Sequence, residues 1–203
     1  MKRFISDLHI YDTQIALLRG YSSCEEMHEE MIREWNEQVG EFDHIYIIGD
    51  VPIYGNLDED VEKTLKVLEI INKLNGIKHL VLGNHDYGWK DKRLKNKLYT
   101  TFVEIVNEMT VTINQYTKLF LSHYPHMEWR GQFGNTLHLF GHVHITHQKY
   151  LIDFINFINK DALKIGNVSV DVIGNVPLPY YEGLKKSNEF YMNLKEELKN
   201  EIL

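Results

Sequence analysis

The stretch His44-Ile45-Tyr46-Ile47-Ile48-Gly49-Asp50 decides how the rest of the chain is read. Its β-branched and aromatic residues favour a strand over a helix, and the Gly-Asp pair that follows ends the run abruptly. Similar apolar runs occur at Phe4-Ile5, Ile77 to Leu82, Leu119 to Leu121, Leu137 to Phe140 and Val168 to Val172. The first five of these six lead directly into polar motifs. In chain order the motifs are Asp7-Leu8-His9, Gly49-Asp50, Gly83-Asn84-His85-Asp86, Ser122-His123 and Gly141-His142-Val143-His144.

Helical patterns lie between the runs. Met27, Met31, Trp35 and Val39 repeat every four residues and form one apolar stripe on an otherwise acidic segment, a core-packing face rather than a cofactor box. A second helix is predicted to be capped by Asp58, with Glu59 and Asp60 at its positive end. Val61, Leu65, Leu68, Ile71 and Leu74 form its buried face, and Asn75-Gly76 is its left-handed stop. A last helix is expected to start near Ser187 and to bury Phe190, Leu194, Leu198 and Ile202.

This alternation argues for an α/β protein. Thr101 to Leu121 carries strand-like runs without a clear helix, so a second sheet portion is expected there. Tyr150 to Gly166 reads either as a short amphipathic helix or as an exposed interaction element. Four prolines and the lack of a Ser/Gly-rich stretch leave no obvious linker, so one domain over residues 1–203 is the expectation.

Composition narrows the class. With 43% hydrophobic and 25% charged residues, the chain is ordinary for a globular protein. A net charge of -7 argues against nonspecific nucleic-acid binding, which relies on Lys and Arg to contact phosphates. The basic run Lys90 to Lys97 reads as a solvated helix face. The sole cysteine, Cys24, permits no internal disulfide, and the early charge at Lys2-Arg3 leaves no signal-peptide core. No window is apolar enough to span a membrane. A cytoplasmic protein is expected, with self-association left open.

In open α/β sheets, ligands sit beyond the carboxyl ends of strands. Five strand ends would therefore converge on one rim bearing Asp7, His9, Asp50, Asn84, His123, His142 and His144, with His85 and Asp86 beside them. Two cations about 3.5–4 Å apart need a shared anionic ligand, and a carboxylate such as Asp50 suits that role. Imidazole with carboxylate selects Mn, Fe, Zn, Ni or Co over Ca.

The ordered set D-x-H, G-D, G-N-H-D, S-H and G-H-x-H resembles the calcineurin-like metallophosphoesterase superfamily, specifically its small prokaryotic and phage-type members. The motifs span Asp7 to His144, about two-thirds of the chain, and Asn167 to Asp171 resembles the strand that follows the last motif in small relatives. The resemblance implies a two-sheet β-sandwich flanked by helices. It implies one metal on Asp7, His9, Asp50 and His144, and a second on Asp50, Asn84, His123 and His142, manganese being the first choice. It also implies that His85, oriented by Asp86, stabilises the transition state or protonates the leaving oxygen. A metal-bridging hydroxide would attack phosphorus in line.

Departures from the family pattern bear on the substrate. Ile10 follows Asp7-Leu8-His9 where the phosphoprotein phosphatases carry glycine, and Asp50 leads into Val51-Pro52-Ile53-Tyr54-Gly55 without their phosphate-gripping arginine. A small-molecule or nucleotide phosphodiester, or a monoester, is the expected substrate, with Arg130 and Tyr54 lining its pocket. A nuclease and a non-catalytic scaffold are the alternatives. Of the other histidines, His28 and His44 are assigned to surface or loop, His79 and His138 to strand packing, and His126 and His147 to surface loops near the motifs. Tyr87, Trp89 and Trp129 are read as aromatic packing around the site, with stacking on a nucleobase as the alternative.

Overall fold

The computed structural model describes residues 1–144, 152, 153, 156 and 163–200. Strands β1 (Lys2–Ile5), β2 (His44–Ile48), β3 (Ile77–Val81) and β4 (Phe102–Val106) form one sheet in that order, all parallel. The connections contain helices α1 (Thr13–Leu18), α2 (Cys24–Gln38), α3 (Asp58–Lys73) and α4 (Lys95–Thr101), with a 3₁₀ turn at Tyr87–Lys90. The second sheet holds β5 (Glu108–Thr112), β6 (Lys118–Ser122), β7 (Thr136–Phe140) and β8 (Ile165–Asn167). There β5 runs antiparallel to β6, and the other pairs are parallel. Two helices close the described chain, α5 (Val170–Ile173) and α6 (Tyr180–Asn200).

Alternation along the strands makes the two sheets pack. Leu119, Leu121 and Leu139 point inward and join Ile5, Ile47 and Leu80 in one buried cluster, whereas Phe120, Phe140 and Ile165 face outward and are covered by Tyr191 of α6. The expected α/β sandwich with flanking helices is the observed architecture. The sheets also meet edge to edge. Ser6, just past β1, donates its N–H to Val168 O (2.9 Å), and Val170 N donates to Ser6 O (3.1 Å). This places the ends of β1 and β8 side by side, at the rim where the motifs gather.

The Met-Trp stripe of α2 packs as expected, with Met27, Met31 and Trp35 fully buried and the Trp35 indole donating to Asn75 O (3.0 Å). Ser23 caps the helix by accepting from Glu26 N (3.2 Å), and Glu26 reaches back to Ser22 N (2.8 Å). Several expectations need correction. Asp58 is the first helical residue of α3 rather than its cap, because its carboxylate goes to Arg93 (2.6 Å). Val168 to Val172 is not a strand; the strand is Ile165–Asn167, and α5 begins at Val170 after the Ser6 bridge. The last helix starts at Tyr180, not near Ser187. It buries Leu184, Ser187 and Tyr191, with Phe190 and Leu194 half-buried, because its covered face looks onto β8.

His28 is buried on α2, where its Nε2 accepts from Tyr11 N (3.1 Å). His44 opens β2 and lies 2.9 Å from His79 Nε2. Tyr150 to Gly166 lies largely outside the described residues, as do His147, Ile202 and the Leu198 side chain. Within that stretch Ile152 is buried against the outer cluster, and Ile165-Gly166 belong to β8. No helix among the described residues is long and apolar enough to cross a membrane.

Candidate metal centre

Each ligand-bearing motif begins where a strand stops, and the backbone there turns sharply. Asp7 (φ 60), His9 (φ 47), Asp50 (φ 57) and His142 (φ 70) all adopt left-handed conformations that L side chains rarely adopt. Such conformations cost of order 1–3 kcal/mol each unless the surroundings enforce them. Here the loops enforce each other, since Asp7 N donates to Gly49 O (3.1 Å) and His9 N to Asp50 O (3.0 Å). Two motif glycines are required by close approach. A Cβ on Gly83 would collide with the Asp50 carboxylate, and one on Gly141 with Asp7 and Ser6.

The side chains form two groups. In the first, His9 Nε2 is 3.1 Å from His144 Nε2, 3.8 Å from Asp7 Oδ1 and 3.5 Å from Asp50 Oδ2, while His144 Nε2 is 3.6 Å from Asp7 Oδ1. One donor atom from each of these four residues falls within 4.8 Å of all the others. In the second group, Asn84 Oδ1 is 2.9 Å from His142 Nδ1 and 3.0 Å from His123 Nε2, and His123 Nε2 is 3.3 Å from Asp50 Oδ2. Donors about 2.0–2.2 Å from a common ion stand roughly 3–3.5 Å apart in tetrahedral or octahedral arrangements, so both donor sets fit divalent cations. The same Asp50 oxygen faces both groups.

The far sides of the His123 and His144 imidazoles are held. His123 Nδ1 lies 2.9 Å from Ile48 O, which only accepts, so Nδ1 carries the hydrogen and Nε2 is left as a ligand. His144 Nδ1 is 2.5 Å from Asp171 Oδ2, and Asp12 Oδ2 stands 3.5 Å from His9 Nδ1. Arg19 ties this outer layer together, giving its Nε to Asp171 (2.8 Å) and a terminal nitrogen to Asp7 O (2.7 Å). Asp12, Arg19 and the role of Asp171 escaped the sequence reading. The only signals were an aspartate three residues past His9 and the acidic end of Asn167 to Asp171.

Electrostatics follow from burial and crowding. Burial works to lower the His9 imidazole, but Asp12, Asp7 and Asp50 outweigh it and raise it to about 9. His123 is likewise raised to about 9 against burial, chiefly by Asp50. Asp50 is lowered to about 2 against burial by its contacts with His123, the His85 amide and His9.

Asp86 is placed differently from the expectation. Its carboxylate accepts from the backbone N–H groups of Asp50 (2.9 Å), Val51 (3.0 Å) and Gly83 (2.8 Å), so it locks the two ligand loops together rather than orienting the His85 ring. Burial and the neighbouring Asp50 charge push it up to about 7, against the pull of the amide donors. His85 donates its backbone N–H to Asp50 Oδ1 (2.9 Å), and its ring meets that of His9 edge-on at 5.1 Å. Arg130 is remote, because it lines a cavity with Lys118 and Thr136 at the start of β6 and β7, the opposite end of the sheet from the motifs. Tyr54 is near, and burial with the charge of Asp12 as the next cause pushes its hydroxyl up to about 12. Trp129 is a packing residue, its indole donating to Thr136 O (3.0 Å). His126 lies in the loop after β6, as expected, but it is half-buried and tied to Ser122 Oγ (3.0 Å).

The profile of the calcineurin-like phosphoesterase family matches residues 3–199. The chain belongs to that family. Membership carries metal-dependent phosphoester hydrolysis as the general activity, and the Asp-His cluster is where a metal would be held. An uncharacterised protein of Methanocaldococcus jannaschii is 30% identical over 177 residues, covering 86% of this chain and 84% of that protein. The Gene 66 protein of Mycobacterium phage D29 is 28% identical over 160 residues, covering 70% of this chain and 77% of its own length. A crystal structure of a protein of unknown function from Aquifex aeolicus shares the fold, with a TM-score of 0.63 at 23% identity, over 90% of this chain and 96% of that one.

Proposed function

We propose that this family member is a dinuclear phosphodiesterase, with monoesterase activity as a secondary capacity, acting on a small-molecule or nucleotide phosphoester. One observation carries the reading. Asp50 Oδ2 stands 3.5 Å from His9 Nε2 and 3.3 Å from His123 Nε2, so a single carboxylate oxygen is shared by two separate donor sets. Manganese is our first choice of metal, and a mixed imidazole, amide and carboxylate site is equally compatible with Fe, Zn, Ni and Co. Two divalent ions held there would lower the pKa of a water and polarise a phosphoryl oxygen.

The chain's own residues do the rest. Asp7 and Asp50, both buried, are the only carboxylates in the donor sets, and they leave a doubly charged pair of cations incompletely neutralised. That surplus favours an anionic phosphate. His85, fixed at its backbone by Asp50 and beside His9, is positioned to give a proton to the departing alkoxide as water's oxygen bonds to phosphorus. A small substrate is favoured over a long polyanion, because Arg93 of the basic run is committed to Asp91 and Asp58. Elemental analysis with a diester assay tests the reading. About two ions per chain and manganese-stimulated hydrolysis of bis(4-nitrophenyl) phosphate are expected. A protein that takes up no metal is a scaffold instead.

A further inference from the structure

Beside the metal centre lies a cavity of about 490 Å³ with no part in the chemistry described so far. Its rim is set by three tyrosines, each a short step past a site residue. Tyr11 follows His9 by two residues, Tyr54 follows Asp50 by four and Tyr87 follows His85 by two. Asp60, Lys63, Lys66 and Val67 of α3 complete the wall.

The tyrosines are held in place. Tyr11 sits in a left-handed conformation (φ 61), with its N–H on the buried His28 (3.1 Å) and its ring edge-on to that imidazole at 4.5 Å. The Tyr54 loop is clamped to α3, where Thr64 Oγ1 accepts from Tyr54 N (2.8 Å) and donates to Tyr54 O (2.9 Å). The next loop is keyed to it as well, since Ile53 N donates to His85 O (3.0 Å) and Gly88 N to Ile53 O (2.8 Å). Hydrogen bonds therefore tie the loop of His85 to that of the Tyr54–Tyr87 pair, whose rings are 5.8 Å apart.

The surface chemistry is specific. Tyr11 and Tyr87 keep 41% and 55% of their area exposed, which leaves aromatic faces open to a flat ring. Lys63 and Lys66 are exposed, one turn apart on the same face of α3, and neither has an ion-pair partner among the described residues. Aromatic faces stack on bases regardless of base identity, and paired ammonium groups hold phosphate.

We infer that this cavity binds the nucleoside part of a nucleotide phosphoester. Its base packs on Tyr11 and Tyr87, Asp60 accepts from a sugar hydroxyl, and a second phosphate rests on Lys63 and Lys66. The assignment rests on the hydrolase reading, because the scissile phosphate would lie on the metal side. A cavity of this size holds one nucleotide rather than a polymer.

The test is calorimetric titration of the manganese-loaded chain with inorganic phosphate, ribose 5-phosphate, adenosine 5′-monophosphate, adenosine 3′,5′-bisphosphate and a single-stranded oligonucleotide. The monophosphate should bind about tenfold tighter than ribose 5-phosphate, the increment of one stacked base. The bisphosphate should gain about tenfold again. Tyr87→Ala should erase the first increment and Lys63→Ala/Lys66→Ala the second. Equal binding of the monophosphate and ribose 5-phosphate overturns the assignment, as do variants that leave both increments in place. An oligonucleotide that binds more tightly than the bisphosphate, with steep salt dependence, overturns the small-ligand assignment in favour of nucleic acid. Turnover of bis(4-nitrophenyl) phosphate is measured in parallel. Its absence alongside the predicted nucleotide increments counts against the hydrolase reading and supports the pocket.

Discussion

Asp171 Oδ2 lies 2.5 Å from His144 Nδ1, and the opposite oxygen of the same carboxylate is 2.8 Å from Arg19 Nε. A residue just past the second sheet thus sets the tautomer of a ligand that comes from a different loop. Arg19 and His144 together hold the Asp171 carboxyl well below the usual range, despite its burial. The contact is directional, and it points His144 Nε2 at Asp7.

Replacing Asp171 with Asn removes the anion and keeps the shape. Metal affinity is expected to fall roughly 10–100-fold, the usual effect of losing a carboxylate behind a ligating imidazole. Competition against a fluorescent chelator reads this directly, and unchanged affinity would count against the ligand role of His144.

Asp50→Asn and His85→Ala should separate holding metal from doing chemistry. Asp50→Asn is expected to drop the metal content below two ions per chain, because both donor sets lose their common anion. His85→Ala should keep its metal and lose about 10²–10⁴-fold in kcat, the range for a general acid. Elemental analysis with diester kinetics distinguishes the two. Equal metal loss in both variants would remove His85 from the proton-transfer role.

Proton and metal compete at His9 and His123. Both are raised to about 9 in the metal-free protein, so binding at neutral pH must displace protons, and affinity should climb with pH up to about 9. Calorimetry in buffers of different ionisation enthalpy counts the protons released. For the metal-free protein the sign runs the other way. Raised imidazoles stabilise fully below the ordinary value near 6.5, and that contribution is lost as pH rises through about 9. The Tm of the chelator-treated protein should therefore fall across that window, and a flat profile would contradict the contacts to Asp7, Asp12 and Asp50.

Gly83→Ala should destabilise by about 1–3 kcal/mol, the usual cost of overpacking, because its methyl would press on the Asp50 carboxylate and amide. Denaturant unfolding gives the stability change. A stable variant with intact metal uptake would show that the loops relax more easily than their hydrogen bonds suggest.

Much of the fold was legible in the strands. The runs ending at Ile5, Ile48, Leu82, Leu121 and Phe140 are short and apolar and stop at polar motifs, and each became a strand that ends on the rim within one residue of that point. The stripe of α2 was equally plain, because Met27, Met31 and Trp35 recur at helical spacing. Errors came where tertiary contacts outrank local pattern. Val168 to Val172 has strand composition, yet Ser169 is claimed by Ser6 and the chain then turns into α5. His28 looked like a surface residue on an acidic helix, and it is buried because the turned backbone of Tyr11 needs an acceptor.

Residue type and order alone singled out the Asp, Asn and His side chains at the strand ends that the fold brings together. Tertiary structure decided what no linear pattern encodes. It set Asp50 Oδ2 between His9 and His123, sent Asp86 to backbone amides, carried Arg130 to the far end of the sheet and brought Asp171 and Arg19 behind the ligands. The reason is physical. A strand end specifies where a side chain starts, but its partners come from segments far away in sequence, and only packing of the two sheets fixes the distances between them.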